Sequence, residues 1–332
     1  MLGESITHQV LRHLRSVAPT VLVVAAFACR PEAAPDAPAH GYLTGAGGAQ
    51  IFYEVAGSGQ DTIVVVHGGP GAGLNDIRPD LEQLTKTHVV IFYDQRGGGR
   101  SALPDTTLLT PHYFAGDLEA VREHFRLEQM NLVAQSFGAL IVAEYLRAHH
   151  HHVARMVFLL PTGPTRAEAA RFYGRPPATS DTAGARLQSE ILRSLMEGRA
   201  ADPVAACREY EGLDKRLGLV FAGRKGTACD MPVPALRYYY QYTARLAPEA
   251  FGKWDFTHSF GEVRAPLLVI HGERDKRGLA MDRSWVKAVP NGRLLVIPDA
   301  GRAAYAERPE AVFSAIGEFL RGRWPDGALS PR

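Results

Sequence analysis

Midway along the chain, Ala134-Gln135-Ser136-Phe137-Gly138 follows an apolar run and precedes a helical stretch at 139–147. A serine on a sharp strand-to-helix turn presents its hydroxyl to substrate, and small residues two before and two after it are needed because neighbouring backbone crowds the turn. The first of these positions holds Ala134 rather than glycine, one methyl more than the pattern asks. A serine that attacks a carbonyl also needs donors for the oxyanion that forms. His67-Gly68-Gly69-Pro70-Gly71 closes an earlier apolar run with a glycine-rich turn whose amides can point at such an oxygen, and the Gly69 and Phe137 N–H groups are the candidate donors. The chemistry these residues suit is nucleophilic acyl transfer on an amide or ester. A capping serine and a plain turn are the competing structural readings of either motif taken alone. Between the two lies Tyr93-Asp94-Gln95-Arg96-Gly97-Gly98-Gly99-Arg100-Ser101.

The elements that must position these residues follow a regular order. Short β-branched runs at 62–66, 89–93, 131–134 and 156–160 are apolar on both sides, as strands buried on both faces are. Two more strands are expected at 267–270 and 294–297, followed by a helix over 310–320 for which Pro309 suits the first turn. Strands alternating with helices predict an α/β fold, a mostly parallel sheet with helices on both faces. Between Pro161 and Pro266 the alternation stops, and helical, Arg/Ala/Tyr-rich sequence intervenes. The expected organisation is a core at 41–161 and 263–323 with a helical cap at 162–262, lying over the carboxyl ends of the strands where open α/β sheets bind ligands. The consecutive histidines His149, His150, His151 and His152 point in different directions at a helix end, which suits a solvated terminus better than a metal site.

The order H-G-G-P-G, D-Q-R-G-x-G-x-S and serine elbow resembles the proline iminopeptidase family of α/β-hydrolases, from about residue 41 to residue 320 and most strongly outside the cap. The resemblance implies that Asp94 and Arg96 buttress the site, and that the triad acid is Asp275, in His271-Gly272-Glu273-Arg274-Asp275 after a late strand. It also implies a histidine after the last strand, and there the chain reads Gly301-Arg302. A guanidinium stays protonated and offers no acceptor lone pair, so Arg302 cannot serve as general base. It could make a forked pair with Asp275, keeping the site folded while Ser136 stays unactivated. His67 and His271 stand at strand ends the family uses structurally, and His258 lies late in the cap. The family holds a substrate amine with cap carboxylates; Tyr210-Glu211-Gly212 looks like one such segment, while Arg237-Tyr238-Tyr239 lacks the second acid. A solvated helix face is the other reading of Glu211. The functional expectation is a serine hydrolase of this type, impaired at Arg302, acting on a small-molecule or short-peptide substrate. A small-molecule esterase and a non-catalytic protein binding a small anionic ligand are the alternatives. No metal-ligand spacing or dinucleotide pattern calls for a cofactor.

With 332 residues, 46% of them hydrophobic, the chain is long enough for one large core with an insertion. The 37 basic and 35 acidic side chains nearly cancel, and no basic stripe interleaved with aromatics points to nucleic acid. Cys207 and Cys229 could form a disulfide in an oxidising compartment, but two cysteines do not demand one. Residues 1–40 read as a leader and tether: Arg12, His13 and Arg15 precede an apolar run at 17–28 that ends at Cys29, before a Pro/Ala-rich stretch. Export is expected, with Cys29 as the candidate lipid attachment site and the only link to a membrane. Mass spectrometry of the membrane fraction is expected to find Cys29 as a lipidated first residue; an unmodified amino terminus at Met1 in the cytosol would remove both export and lipidation.

Overall fold

The computed structural model describes residues 39–174, 179–218 and 223–331. The leader, most of the tether and Cys29 lie outside the described residues. Eight strands form one sheet: β1 (His40–Thr44), β2 (Gln50–Ala56), β3 (Thr62–Val66), β4 (Val89–Tyr93), β5 (Met130–Gln135), β6 (Val153–Leu159), β7 (Leu267–Gly272) and β8 (Gly292–Ile297). Their spatial order is β1-β2-β4-β3-β5-β6-β7-β8, parallel from β4 to β8 and antiparallel at the β1-β2-β4 edge. The six strands expected from the apolar runs are all present. The antiparallel pair of β1 and β2 was not expected, because these strands are partly exposed and lack a continuous apolar run.

Alternate residues of the parallel strands enter two cores, as a period of two requires. Val64, Leu132, Met156 and Val269 face α1 (Pro111–His124), α2 (Gly138–His149) and α3 (Leu279–Ala288), whereas Val65, Val133, Val157 and Leu268 face α4 (Pro309–Leu320). Helices between β6 and β7 include a long pair, Thr182–Met196 and Pro203–Leu217, with Asp181 and Asp202 accepting amide hydrogen bonds as N-caps. These helices share a small apolar cluster of their own with Leu195, Cys207, Cys229 and Leu236, and Cys207 is disulfide-bonded to Cys229. Phe256 and Phe260, late in the expected cap, instead stack beside Trp285 of α3 in the main core. Beyond residue 323 the chain still packs on the sheet, since Leu329 exchanges two 2.9 Å hydrogen bonds with Leu294 on the β8 edge. Among the described residues, no helix is long and apolar enough to cross a membrane.

The glycine-rich segment after β4 is locked from beneath. Arg96 is fully buried and forks onto Asp117 of α1, Nε to Oδ2 at 2.7 Å and Nη2 to Oδ1 at 2.6 Å, with a further bond to the Ala46 carbonyl. Burial raises the pKa of Asp117, while its bonds to Arg96 act the other way. Arg96→Met, which strands the Asp117 charge, is therefore expected to cost about 3–5 kcal/mol in chemical denaturation. A loss below about 1 kcal/mol would show that this pair does not hold the segment in place.

Candidate active site

Ser136 stands at the junction of β5 and α2 with φ at 52°, in the left-handed region that non-glycine residues rarely adopt. Its amide donates to Leu159 O at 3.1 Å and its carbonyl accepts from Ala139 and Thr162, which ties the turn to β6 and to the loop beyond it. Gly138 is needed because any side chain there would collide with the Val66 carbonyl at the end of β3. Ala134, in contrast, is fully buried in the core, so the extra methyl is absorbed by packing.

The glycine turn after β3 is held by Gln95. Its side-chain amide donates to His67 O at 2.6 Å, its Oε1 accepts from Gly71 N at 3.1 Å, and its backbone amide donates to His67 Nε2 at 3.1 Å. With Nε2 accepting, the His67 proton belongs on Nδ1, which donates to Gly68 O at 2.9 Å. Burial lowers the His67 pKa, so this imidazole is a neutral structural member with no lone pair to spare. Asp94 accepts from Leu74 N at 2.6 Å and Arg100 N at 2.7 Å, which fixes the far side of the same turn. Among the described residues, the Gly69 and Phe137 amides donate to no other group.

Ser136 and Gly69 open into a cavity of about 320 Å³, whose walls include Asp76, Tyr210, Glu211, Arg224 and Tyr239. Glu211, named from the sequence, is therefore at the cavity. Its Oε1 accepts from Ala228 N at 3.1 Å, and burial raises its pKa, partly offset by hydrogen bonds from Thr227 and Ala228. Asp76 and Arg224 were not anticipated. Arg224 is buried and bridges Asp76 at 2.9 Å and Asp80 at 3.4 Å, while Lys225 N donates to Asp80 at 2.8 Å. Such a pair, 148 residues apart, has no signature in a linear reading.

Asp275 and Arg302 are brought together, but not at the cavity wall. Arg302 Nη1 donates to Asp275 Oδ2 at 2.8 Å, with both side chains almost wholly buried. The second nitrogen turns away to the carbonyls of Leu160 and Pro161 at 3.2 and 3.4 Å, so the pair is single-pronged where a fork was conceivable. The guanidinium carbon lies 4.1 Å from the centroid of the Phe172 ring. Burial opposes the charge on Arg302, yet Tyr173, Asp282 and Asp275 around it outweigh that penalty and raise its pKa. Asp275 Oδ1 accepts from Gly278 N at 3.0 Å, and a side chain at Gly278 would strike both members of the pair. His271 is buried against Asp282 at 2.7 Å, and His258 is exposed; among the described residues, no histidine lines the cavity.

The alpha/beta hydrolase fold family matches residues 61–309 of the chain. A proline iminopeptidase of Heyndrickxia coagulans is 24% identical over 291 residues, covering 84% of this chain and 98% of the relative. A second, from Lactobacillus delbrueckii subsp. bulgaricus, is 23% identical and covers 82% of this chain and 94% of its own length. Among solved structures, the proline iminopeptidase of Mycobacterium smegmatis superposes with a TM-score of 0.60 at 19% identity, over 85% of this chain and 97% of that one. The esterase RhEst1 from Rhodococcus sp. ECU1013 does so with a TM-score of 0.63 at 20% identity, over 86% and 99%.

Replacing Arg302 by leucine leaves Asp275 facing the space that its partner filled. Arg302→Leu is expected to lose about 3–5 kcal/mol, and Asp275→Asn in the same chain to recover part of it, by denaturation of the four proteins of the cycle. Additive losses, with a coupling below about 0.5 kcal/mol, would deny the ion pair a structural role.

Proposed function

Because the chain belongs to the alpha/beta hydrolase fold family, we propose that it is a serine hydrolase of the proline iminopeptidase type, with turnover held low by Arg302. Ser136 is the nucleophile, the Gly69 and Phe137 amides form the oxyanion hole, and Asp275 occupies the place of the triad acid. The observation that carries this reading is the left-handed Ser136, set beside the glycine turn and open to a cavity of about 320 Å³. A structural serine gains nothing from a strained backbone or from access to a cavity.

The missing function is proton removal. Attack forms the Ser136 Oγ–C bond, moves the carbonyl π pair onto oxygen and releases the hydroxyl proton, which an imidazole at position 302 could accept. Arg302 accepts nothing, and its interactions hold Asp275 in a static pair. The anionic-ligand alternative loses support for a related reason: two Arg302 nitrogens are committed and the side chain does not line the cavity.

Glu211 supports a preference for substrates with a free amine, since a partly buried carboxylate at the cavity wall favours a cation. The single carboxylate of the expected clamp, and an esterase among the similar folds, keep the small-ester reading beside it.

Loss of the histidine from a serine triad lowers turnover by about 10⁶-fold, roughly 8 kcal/mol. Arg302→His is therefore expected to raise hydrolysis of an aryl ester or an amino-acid arylamide by orders of magnitude, and Ser136→Ala in that protein to abolish the gain. A parent already turning over at ordinary enzymatic rates through Ser136 would sink the impaired-triad reading. The same assays divide the substrate classes. Glu211→Gln should erase a preference for free-amine over amine-blocked substrates, and acidification should weaken that preference at a higher pH than for an ordinary glutamate. Equal hydrolysis of blocked esters before and after the change would favour the esterase.

A further inference from the structure

Three consecutive tyrosines, Tyr238, Tyr239 and Tyr240, run from the helix Val233–Tyr238 into a π-helical turn at Tyr239–Thr243. Such turns insert a residue into a helix and are frequent at functional sites. Two of the three hydroxyls are spoken for. Tyr238 donates to the Pro104 carbonyl, and Tyr240 lies 3.4 Å from Cys207 Sγ. Thr243, at the end of the turn, donates to Gly97 O at 2.7 Å and so pins the turn to the glycine-rich segment after β4.

The Tyr239 hydroxyl forms no hydrogen bond among the described residues, and its side chain lines the cavity together with Ser136 and Gly69. A Cβ placed on Gly69 would lie 3.2 Å from the Tyr239 oxygen, and one placed on Gly68 would lie 2.8 Å from Ser136 Cβ. The hydroxyl thus hangs over the glycine turn whose preceding residue abuts the nucleophile. A phenol with its ring fixed by packing, here edge-on to Tyr240 at 4.8 Å, is a preorganised donor.

Resting on the serine-hydrolase reading of this cavity, we propose that Tyr239 is a catalytic residue: its hydroxyl binds the substrate carbonyl oxygen beside the Gly69 amide and stabilises the oxyanion formed when Ser136 attacks. Tyr239 donates a hydrogen bond and keeps its proton throughout, so the serine proton still requires a base. Burial raises the phenol pKa, reinforced by Asp76, Tyr210 and Glu211, which keeps the hydroxyl a donor at every working pH. This assignment makes the cap contribute to the chemistry as well as to substrate choice, because the helix that carries Tyr239 belongs to the segment between β6 and β7.

The test uses the full chain carrying Arg302→His, in which an imidazole is available to the serine. A fluorophosphonate reports directly on the proposed contact, since its phosphoryl oxygen occupies the oxyanion position. The Ser136 Oγ–P bond forms, fluoride leaves with the P–F pair, and the serine proton passes to the imidazole. Tyr239→Phe keeps the ring and removes only the donor, and it is expected to slow labelling at Ser136 and the kcat for an aryl ester by on the order of 100-fold, with an unchanged melting temperature. Tyr238→Phe, whose hydroxyl binds Pro104 outside the cavity, serves as the control and should label at the rate of Arg302→His alone. Labelling of Tyr239→Phe at that same rate would overturn the donor role while leaving the hydrolase reading in place. No labelling of Arg302→His with Tyr239 intact would overturn both.

Discussion

The turn at Ser136 is the constraint around which the rest is arranged. A left-handed non-glycine residue costs on the order of 1–3 kcal/mol and persists only where its surroundings over-determine it. Here β3 and β5 end side by side, Gly138 passes against the Val66 carbonyl, and the Ser136 backbone bonds to Leu159, Ala139 and Thr162. Fixing Thr162 in turn bends the chain just after β6, where Leu160 is itself left-handed at φ 42°. The carbonyls of Leu160 and Pro161 then face Arg302, which reaches on to Asp275. A continuous series of contacts therefore joins Ser136, the loop after β6, Arg302 and Asp275, although Arg302 and Asp275 stand back from the cavity that Ser136 enters.

The cavity wall depends on a second set of constraints within the insertion. The segment at 223–231 is fastened to the core by Arg224, whose charge lies between Asp76 and Asp80, and to the helix Pro203–Leu217 by the disulfide from Cys229 to Cys207. Between these anchors, Ala228 N donates to Glu211. Leaving Arg224 buried is tolerable only because two carboxylates face it, and those same carboxylates depend on it. Polarity at this wall therefore serves assembly first, while Glu211, which accepts from Ala228 N, forms no salt bridge among the described residues.

Most of the sheet was legible in the sequence for one reason: strands covered on both faces read as unbroken apolar runs, as in Val64, Val65 and Val66 or Val90, Ile91 and Phe92. β1 and β2 were not, since Tyr42 is exposed and Glu54 interrupts the apolar run. The elbow and the glycine turn were legible because backbone geometry demands small residues at fixed offsets. Contacts across the insertion left no such trace. Nothing local to Arg224 announces Asp80, two cysteines 22 residues apart do not declare a bond, and three tyrosines in a row do not say which one brings its hydroxyl to the Gly69 turn. Periodicity fails at Tyr239 in particular, because the π turn shifts the helical register on which a face assignment rests.

Why an arginine fills the position after β8 follows from what surrounds it. Asp275 and Asp282 both bear on that point, and burial already pushes the Asp282 carboxyl above its usual range. An imidazole would balance these charges only while protonated, the form that cannot accept a serine proton. A neutral side chain would leave Asp275 with the Gly278 amide and no cation. A lysine carries the charge but lacks the planar fork needed to serve a carboxylate on one side and two carbonyls on another while lying on the Phe172 ring. Arginine satisfies all four contacts at once and stays charged at any pH the protein meets. A side chain that never changes its protonation state thus holds Asp275 against the carbonyls beyond β6, which fixes the loop after β8 at every pH.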